Sequence, residues 1–510
     1  MKGWSVFSVL IILISFNLSM ASAQILTWER QYGQPNRAEL AWDIVETADN
    51  HFVICGYTLG KSIWDLDGWI INIDSSGELV WTKQIGSQGI GAGTDFLTCI
   101  ILNNQNELVL TGNRYTFRYG KQVWFLKINT NGEVLTEKLI GGKAEDNGHK
   151  IIQNHDGSYM IIGDTESFGT QNGGKDIWLL KLNSQGDTLW TRTYDLGAAD
   201  MATGIIPFRN NQFLIAAVSC TDDCGGMFQQ GFATYFVIDS VGNTLKSINF
   251  AEGPKNKFSD TYPTADGGAI ITGATSRNDK FPSEDIWLVK LDSNADIIWA
   301  KTIGAYRRYD GGHSIIQSND GCYYLAAYSQ TFQSPDMDFD NWWLLKLNAA
   351  GDTLWTRWWG GPSNDAPHSI IPTSDGGIIL AGWRDANSNP LYSLSIGNAD
   401  FYVIKIDPRG MITGFRDVSS QPPALFDLYQ NYPNPFNLTT TIRFSLPQRN
   451  YVTLKAFDVV GREVATLVSG ELNPGEHAVD FNATDLASGV YFYKLQYGES
   501  VKTRKLLLMK

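Results

Sequence analysis

The chain has 510 residues, of which 43% are hydrophobic and 12% aromatic, and it contains 50 glycines but only five cysteines. This apolar content excludes a largely disordered chain, and so few cysteines exclude a scaffold built from disulfides. The net charge of −13 argues against binding to the phosphate backbone of a nucleic acid.

The N-terminus has the features of an export signal. Lys2 precedes an apolar run, Val6–Leu18, which is followed by the small residues Ala21-Ser22-Ala23. This order predicts a secretory signal peptide over residues 1–23 that is cleaved before Gln24. A membrane anchor is the alternative, but the run is shorter than the ~20 apolar residues of a spanning helix. We therefore expect an exported protein with no transmembrane segment after the signal is removed.

Seven copies of one motif fill the middle of the chain. The plainest copy runs from Asp176 to Trp190, and alignment of all copies places an aromatic residue in one column at intervals of 51–59 residues. Repeats of this length are typical of solenoids and propellers. The aligned aromatic residues are Trp69, Trp124, Trp178, Phe236, Trp287, Trp343 and Tyr402.

Each repeat reads as four short antiparallel strands, which we name A to D. Turn pairs such as Asp375-Gly376 between strands A and B tolerate the positive φ of a two-residue hairpin turn, and Gly186 serves the turn between C and D. Seven such repeats predict an all-β fold, a seven-bladed β-propeller over residues 24–414. A solenoid is the alternative, because repetition alone does not demonstrate closure.

The two ends of the repeat region favour a closed ring. Trp28 and Gly33 have the same spacing as Trp355 and Gly360 in a D strand, whereas the seventh repeat lacks a D strand after Gly410. We predict that the N-terminal strand, residues 25–33, completes the last blade and leaves no unpaired edge. The region resembles secreted bacterial β-propeller repeat proteins, a resemblance that implies a fold and not an activity.

The connections differ between the two faces of the predicted propeller. The A–B and C–D turns are short and uniform, whereas the B–C connections on the opposite face vary in length and are longest at Val218–Ala233 and Trp383–Ala399. Variable loops on a regular scaffold are where binding usually occurs. We expect the variable-loop face to hold any binding site.

Three repeats carry Asp-x-x-His before strand A, near the predicted channel mouth. An imidazole cluster for a metal is one interpretation, but the other repeats have Trp42, Thr98, Thr203 and Ser259 in the histidine column, so the ring is incomplete. We expect a structural use, in which the carboxylates accept backbone hydrogen bonds. The pairs are Asp146/His149, Asp310/His313 and Asp365/His368.

Other candidate residues lie in loops and strands. Asp336, Asp338 and Asp340 have a calcium-like spacing but lack the glycine and glutamate of an EF-hand, so they are candidates beside the simpler reading of a solvated acidic loop. Cys220 and Cys224 are close enough in sequence for a disulfide. We predict no catalytic residue, no metal and no cofactor. The recurring Trp81, Trp190, Trp299 and Trp355 are expected to pack between blades rather than bind sugar.

The C-terminal part, residues 415–510, has a different sequence pattern from the repeats. A linker at residues 415–424 precedes residues 425–510, whose period-two alternation predicts a small Ig-like β-sandwich. The motif residues of this part are Tyr432, Pro433, Asn434, Pro435, Phe436, Asn437, Gly489, Tyr491, Lys505 and Lys510. Together these motifs resemble a type IX secretion C-terminal sorting domain, and an ordinary Ig-like accessory module is the alternative.

The resemblance implies partners and a location. A sorting domain of this family engages the type IX translocon and a sorting peptidase, and the protein is then secreted or attached to the outer cell surface by way of the periplasm. For the propeller we expect a non-enzymatic binding or scaffold module with an unknown extracellular ligand, a glycan or a protein. The alternatives are a glycan-directed enzyme with acidic and histidine residues at the channel mouth, and a purely structural surface protein.

Overall fold

The structure is a computed structural model, and it describes most of the chain. The predicted signal peptide and the predicted linker lie outside the described residues. Those described are 25–34, 37–59, 66–86, 93–169, 174–197, 199–220, 231–250, 256–276, 283–304, 308–330, 340–360, 364–385, 399–412, 426–429, 431, 434, 436, 438–447, 449–472, 475–484, 486–498 and 500–508.

The chain divides into two compact units, Met1–Gly414 and Phe415–Lys510. In the described part of the first unit, 28 strands form seven antiparallel sheets of four strands each. Among all described residues the only helical element is a single 3-10 turn, Arg209–Asn211. No helix in the described residues is long and apolar enough to cross a membrane.

Six of the sheets consist of four consecutive strands. We number the sheets 1 to 7 in chain order of their innermost strands. Sheets 1 to 3 are β2 (Glu39–Glu46), β3 (Phe52–Leu59), β4 (Leu66–Ile73) and β5 (Leu79–Ile85); β6 (Phe96–Leu102), β7 (Leu108–Thr116), β8 (Gly120–Ile128) and β9 (Val134–Ile140); and β10 (Asp146–Gln153), β11 (Tyr159–Thr165), β12 (Asp176–Leu182) and β13 (Thr188–Tyr194).

The second half of the ring repeats this order, and sheet 7 takes its fourth strand from the N-terminus. Sheets 4 to 7 are β14 (Ala199–Phe208), β15 (Gln212–Cys220), β16 (Gly231–Ile238) and β17 (Thr244–Asn249); β18 (Asn256–Pro263), β19 (Ala269–Ser276), β20 (Glu284–Leu291) and β21 (Ile297–Ile303); β22 (Asp310–Gln317), β23 (Tyr323–Ser329), β24 (Asn341–Leu347) and β25 (Thr353–Trp359); and β26 (Asp365–Pro372), β27 (Ile378–Asp385), β28 (Ala399–Ile406) and β1 (Trp28–Tyr32).

Local turn chemistry produces the hairpins. Asn50 and Gly376, in two A–B turns, have φ values of 61° and 86°, the left-handed region that asparagine and glycine tolerate. In the C–D turn of sheet 1, the Asp74 carboxylate accepts hydrogen bonds from the backbone N–H groups of Ser76 and Glu78 at 2.8 and 2.9 Å. These turn residues therefore set the strand register in the A–B and C–D hairpins.

The seven sheets form a closed ring. Strand β1 pairs with β28 from Trp28 to Tyr32, so the first described strand completes the sheet formed by the last ones. The Ser369 hydroxyl of sheet 7 donates to Asp43 of sheet 1 at 2.7 Å, and the Trp28 indole N–H donates to the Ser75 carbonyl at 2.9 Å. An open solenoid would leave these groups apart, and the predicted all-β propeller fold is confirmed.

Aromatic side chains fill the gaps between neighbouring sheets. Trp81, Trp299 and Trp355, from the D strands of sheets 1, 5 and 6, pack over the C–D turn glycines of the next sheet. A Cβ at Gly351 would lie 2.8 Å from the Trp299 ring, so only glycine permits this approach. The predicted inter-blade packing of this tryptophan column is confirmed.

The second unit has two sheets around one core. The three-stranded sheet is β29-β30-β33 and the four-stranded sheet is β32-β31-β34-β35. Buried residues of both sheets share the core, so the unit is a two-layer sandwich. The specific Ig-like topology stays a prediction. The strands are β29 (Asp427–Leu428), β30 (Thr439–Leu446), β31 (Asn450–Phe457), β32 (Glu463–Leu472), β33 (Gly475–Asn482), β34 (Gly489–Tyr497) and β35 (Ser500–Leu508).

Candidate functional site

A β-bulge interrupts every innermost strand at the same aligned position. The register shifts by one residue there, because one residue of the inner strand has no partner in the second strand. Bulges of this kind bend a strand and redirect a side chain. The bulged residues are Trp42, Thr98, His149, Thr203, Ser259, His313 and His368, the column that the sequence marks with three histidines.

Two of the bulged side chains connect neighbouring sheets. The Thr98 hydroxyl donates to the Gly148 carbonyl of sheet 3 at 2.8 Å. His368 Nδ1 lies 2.7 Å from the Ala41 carbonyl of sheet 1, so Nδ1 carries the proton in this bond. Both acceptors directly precede the bulged residue of the next sheet. The bulge therefore directs a hydrogen-bond donor towards the neighbouring sheet, and this donor is a hydroxyl in Thr98 and an imidazole in His368.

The three histidines do not gather around one point. The rings of His313 and His368 lie 5.1 Å apart, and Trp42 stacks on His368 at 4.3 Å. His149 instead contacts Asp164 of its own sheet, with Nε2 2.5 Å from Oδ2. Burial lowers the pKa of His368 to about 4 and that of His313 well below its usual value, so both rings are neutral near pH 7. Within the described residues these histidines form no metal-ligand cluster.

The acidic residue of Asp-x-x-His belongs to a column that occurs in all seven sheets. The Asp146 carboxylate accepts from the Gly142 N–H at 2.7 Å, and the Asp365 carboxylate accepts from the Asp385 N–H at 3.0 Å. These bonds hold the connections next to the inner strand, which is the structural use expected from the sequence. The column consists of Glu39, Asp95, Asp146, Asp200, Asn256, Asp310 and Asp365.

A partly buried ammonium interacts with one buried and one partly buried carboxylate on the inner strands. Lys150 directly follows the bulge of β10, and Asp43 and Asp260 hold the equivalent positions of β2 and β18. Burial lowers the pKa of Lys150, but the charges of Asp43 and Asp260 outweigh this effect and raise the pKa above its usual value. The lysine is therefore charged at any physiological pH, and it balances the carboxylates from inside the ring.

Replacing this lysine is expected to destabilise the first unit strongly. Lys150→Met leaves the buried Asp43 and the partly buried Asp260 without this cation, a change that costs about 1–3 kcal/mol in the free energy of unfolding. The loss should grow as pH rises, because the pKa of Asp260, already raised by burial, rises further once the lysine charge is gone, and this carboxyl must then ionise against burial. Urea unfolding of wild type and variant at pH 5 and pH 8 measures both effects.

A surface lysine provides the control for this variant. Lys301 pairs with Asp352 in an exposed ion pair, so Lys301→Met should cost less than about 1 kcal/mol at either pH. If Lys150→Met costs no more than Lys301→Met, Lys150 does not neutralise the two carboxylates as described.

The connections between strands vary in length on one face of the ring and are nearly constant on the other. Five residues separate strands A and B in six sheets and strands C and D in sheets 1 to 6, whereas B–C connections range from three residues in sheet 2 to thirteen in sheet 7. The two longest connections, after Asp385 and after Ser329, fall largely outside the described residues. Length variation is thus concentrated on the face that the sequence analysis singled out.

Several predicted site residues lie in these connections. Asp336, Asp338 and Cys224 are outside the described residues. Asp340 accepts a hydrogen bond from the Gln330 amide at 3.0 Å, and burial raises the pKa of its carboxyl to about 6, so it is not the solvated residue expected from its sequence context. Cys220 is disulfide-bonded, and its pairing with Cys224 stays a prediction.

The sorting motif of the second unit fastens the last strand. The Phe436 N–H donates to the Leu507 carbonyl at 2.9 Å, and the Leu507 N–H donates to the Asn434 side chain at 2.8 Å. The Phe436 ring is buried in the core of the sandwich. The motif therefore clamps strand β35, which carries the basic end of the chain, onto the body of the unit.

The later motif residues that the structure describes lie on strands β34 and β35. Gly489 pairs with Leu508, Lys505 pairs with Phe492, and the Tyr491 hydroxyl donates to the Ala487 carbonyl at 2.8 Å. The tyrosine thus fixes the approach to β34. Five members of the motif are outside the described residues, namely Tyr432, Pro433, Pro435, Asn437 and Lys510.

Comparison with known proteins identifies the second unit. Residues 430–509 match the family described as "Secretion system C-terminal sorting domain". The chain therefore carries a type IX sorting signal, engages the type IX secretion machinery and is exported to the cell surface. No curated protein matches the chain.

Among solved structures, the chain is similar to several proteins at very low identity. An α-L-arabinofuranosidase, Arb93A from Fusarium graminearum, has 8% identity and a TM-score of 0.40 over 75% of this chain and 97% of its own. The polysaccharide lyase Uly1 has 10% identity and a TM-score of 0.44 over 74% of this chain and 91% of its own. A puromycin hydrolase has 10% identity and a TM-score of 0.45 over 80% of this chain and 59% of its own. Likenesses at this level assign no activity.

Proposed function

We propose that the protein is a cell-surface binding module, without catalytic activity, that holds an extracellular ligand on the variable-loop face of its propeller. The observation that carries the proposal is the contrast between the two faces. Connections are uniform on one face, and they vary from three to thirteen residues on the other. A scaffold that keeps its strands constant and varies loops on a single face is suited to recognition.

The hydrogen bonds and packing of the aspartate and histidine side chains at the predicted channel mouth support a binding function over catalysis. Asp146 and Asp365 accept backbone hydrogen bonds, and His313 and His368 are neutral and packed between aromatic rings. A general acid or base needs a free proton-transfer atom within reach of a substrate. Asp146, Asp365 and His368 Nδ1 already use such atoms in hydrogen bonds to the backbone, and the His313 ring is packed against Tyr328 and His368.

A loop exchange tests the proposal. Residues 386–398 are replaced by the three-residue connection of sheet 2, Phe117-Arg118-Tyr119, which already joins two strands of this propeller. The full chain and the variant are titrated calorimetrically against a panel of soluble neutral and acidic polysaccharides and peptides. We expect the variant to lose binding to the probe that the wild type binds, with an unchanged melting temperature.

The opposite face provides the control. Asp266→Asn alters an A–B turn, and it should leave binding intact although it removes the ion pair with Lys290. Equal loss of binding in this variant, or no loss in the loop exchange, would contradict the assignment of the ligand to the variable-loop face.

A glycan-directed enzyme is the second candidate, and one carboxyl favours it. Asp340 has a pKa raised to about 6 by burial, the range of a carboxyl that donates a proton near neutral pH. The Tyr328 hydroxyl donates to Glu284 at 3.3 Å nearby, and the charge of Glu284 contributes to the raised pKa of Asp340. The same polysaccharide panel, assayed for new reducing ends, distinguishes the candidates. An enzyme releases them, and Asp340→Asn stops the release.

A further inference from the structure

A row of aromatic rings runs along one side of the channel, the space that the seven inner strands enclose. The Trp42 ring stacks on His368 at 4.3 Å, with 20° between the two planes. The His313 ring lies 5.1 Å from His368 on one side and 5.4 Å from Tyr328 on the other. We name these four residues the aromatic row. They belong to sheets 1, 7 and 6 and are all partly exposed, and such a surface is a usual lining of a small-molecule site.

Several polar atoms of the aromatic row have no partner within the described residues. The Trp42 indole N–H is buried there without an acceptor. Neither ring nitrogen of His313 takes part in a hydrogen bond, and His368 uses only Nδ1, which leaves Nε2 as an acceptor. Polar atoms inside a fold are normally hydrogen-bonded. The row therefore points to a ligand that offers both donors and acceptors.

A second ring of residues lies one step deeper than the bulges. We name it the waist, and it consists of the residue that directly follows each bulge. Ser369 donates to Asp43 at 2.7 Å and Ser314 donates to Asp260 at 2.8 Å, so short waist residues are tied to one another. Lys150 is the one long side chain among them. The other six waist residues are Asp43, Cys99, Gly204, Asp260, Ser314 and Ser369.

Lys150 extends towards the axis of the channel and has no direct partner. Asp43 of sheet 1 and Asp260 of sheet 5 act on its charge, and its charge in turn acts on His368 of sheet 7. Because these sheets stand around the ring, an ammonium that interacts with all three lies close to the axis. Yet Lys150 makes no hydrogen bond and no ion pair with any described residue. Its three N–H groups are therefore available to a ligand.

The charges at the waist favour a neutral ligand. The carboxyl groups of Asp43 and Asp260 already offset the Lys150 ammonium, so neither an anion nor a cation gains a net attraction there. A hydroxyl group can accept a hydrogen bond from the ammonium and donate one to a neutral histidine nitrogen at the same time. Several hydroxyl groups around a compact ring, with apolar faces that pack on aromatic side chains, are the chemistry of a neutral sugar.

We propose that the terminal residue of a neutral glycan enters the channel from the variable-loop face, packs against the aromatic row and hydrogen-bonds with Lys150. The inner strands run from this face into the ring, and the bulge precedes the waist in each of them, so the sugar meets the rings before the ammonium. This inference rests on the proposed function, because it names the ligand class and the innermost part of the same binding face. In the sequence, Trp42 only interrupts the histidine column, and nothing there marks it as part of a site.

Calorimetric titration of the full chain tests the proposal. The neutral probes are cellotetraose, mannotetraose and arabinotetraose, and tetragalacturonate is the acidic probe of the same length. We expect the wild type to bind a neutral probe at one site per chain and more tightly than the acidic one. Trp42→Thr copies Thr98 at the same position of the next sheet, so it should fold, and loss of the aromatic anchor should weaken binding roughly tenfold.

Two histidine variants provide a matched comparison. His313→Asn removes a ring of the aromatic row and should weaken binding of the neutral probe. His149→Asn makes the same change at the same bulge position, but this imidazole contacts Asp164 of its own sheet, so the variant should bind as the wild type does. Melting temperatures of all variants show that the fold is retained.

The outcomes separate this proposal from the proposed function. If exchange of residues 386–398 abolishes binding of a neutral probe while Trp42→Thr and His313→Asn leave it unchanged, the channel site is wrong and the variable-loop face remains the binding surface. Equal loss in His149→Asn would mean that the histidine column supports the fold and not a ligand. Tighter binding of tetragalacturonate would overturn the neutral class. Failure of every neutral probe would overturn the proposal, whereas peptide binding that depends on residues 386–398 would still support the proposed function.

Discussion

Removal of residues 425–510 is expected to leave a folded propeller inside the periplasm. The sorting domain occupies residues 430–509 and forms a compact unit separate from the propeller, so its loss removes the export signal and no strand of the ring. Cell fractionation with antibody detection measures the distribution between periplasm, cell surface and medium. Truncated protein outside the outer membrane at wild-type levels would show that the tail is dispensable for export.

A single substitution sharpens this test. Phe436→Ala removes a ring from the core of the sandwich, a loss of about 3–5 kcal/mol that should unfasten the last strand and block export. Val460→Ser changes an exposed turn residue of the same unit and should be exported normally. Normal export of Phe436→Ala would mean that the secretion machinery recognises the sorting domain even when strand β35 is not held against its core.

Deletion of residues 25–33 is expected to destabilise the whole propeller by several kcal/mol. Sheet 7 loses its fourth strand, β28 gains a bare edge, and Trp28 no longer fills the gap to sheet 1, where burial of tryptophan alone contributes about 3–5 kcal/mol. Thermal unfolding followed by near-ultraviolet circular dichroism measures the loss. An unchanged melting temperature would favour an open array of sheets.

Addition of the missing strand distinguishes lost closure from a general defect. A synthetic peptide of residues 24–34 can add to the free edge of β28, and it should raise the melting temperature of the deleted chain with increasing concentration. The same peptide with Trp28→Ala should be less effective. Failure of both peptides would contradict the closing role of this strand.

The repeated features of the propeller could be predicted from the sequence because each occurs several times. The aromatic column and the turn pairs recur at a nearly constant interval, and β1 could be placed because Trp28 and Gly33 copy Trp355 and Gly360. Repetition converts a weak local signal into a reliable one. The sorting domain could be predicted for a different reason, since its motifs follow one another in a known order.

The features that sequence reasoning missed depend on contacts between repeats. Lys150 meets Asp43 and Asp260 across the ring, and no local pattern relates charges more than 100 residues apart. The acidic column was found in only three repeats, because Glu39 and Asn256 vary the residue type and the histidine is absent elsewhere.

Closure by the first strand also imposes an order in time on assembly. Strand β1 pairs with β28, and Glu29 and Tyr402, which are 373 residues apart, share a hydrogen bond across this pairing. At synthesis rates of 5–20 residues per second, roughly 20 to 75 s pass between the appearance of these two segments. During this interval Trp28 has no sheet to join, so the chain carries an unpaired strand and an exposed indole until its last repeat arrives. The slowest step of folding is therefore expected to be the docking of the N-terminal strand, and holdase chaperones that bind extended apolar segments should act on it first.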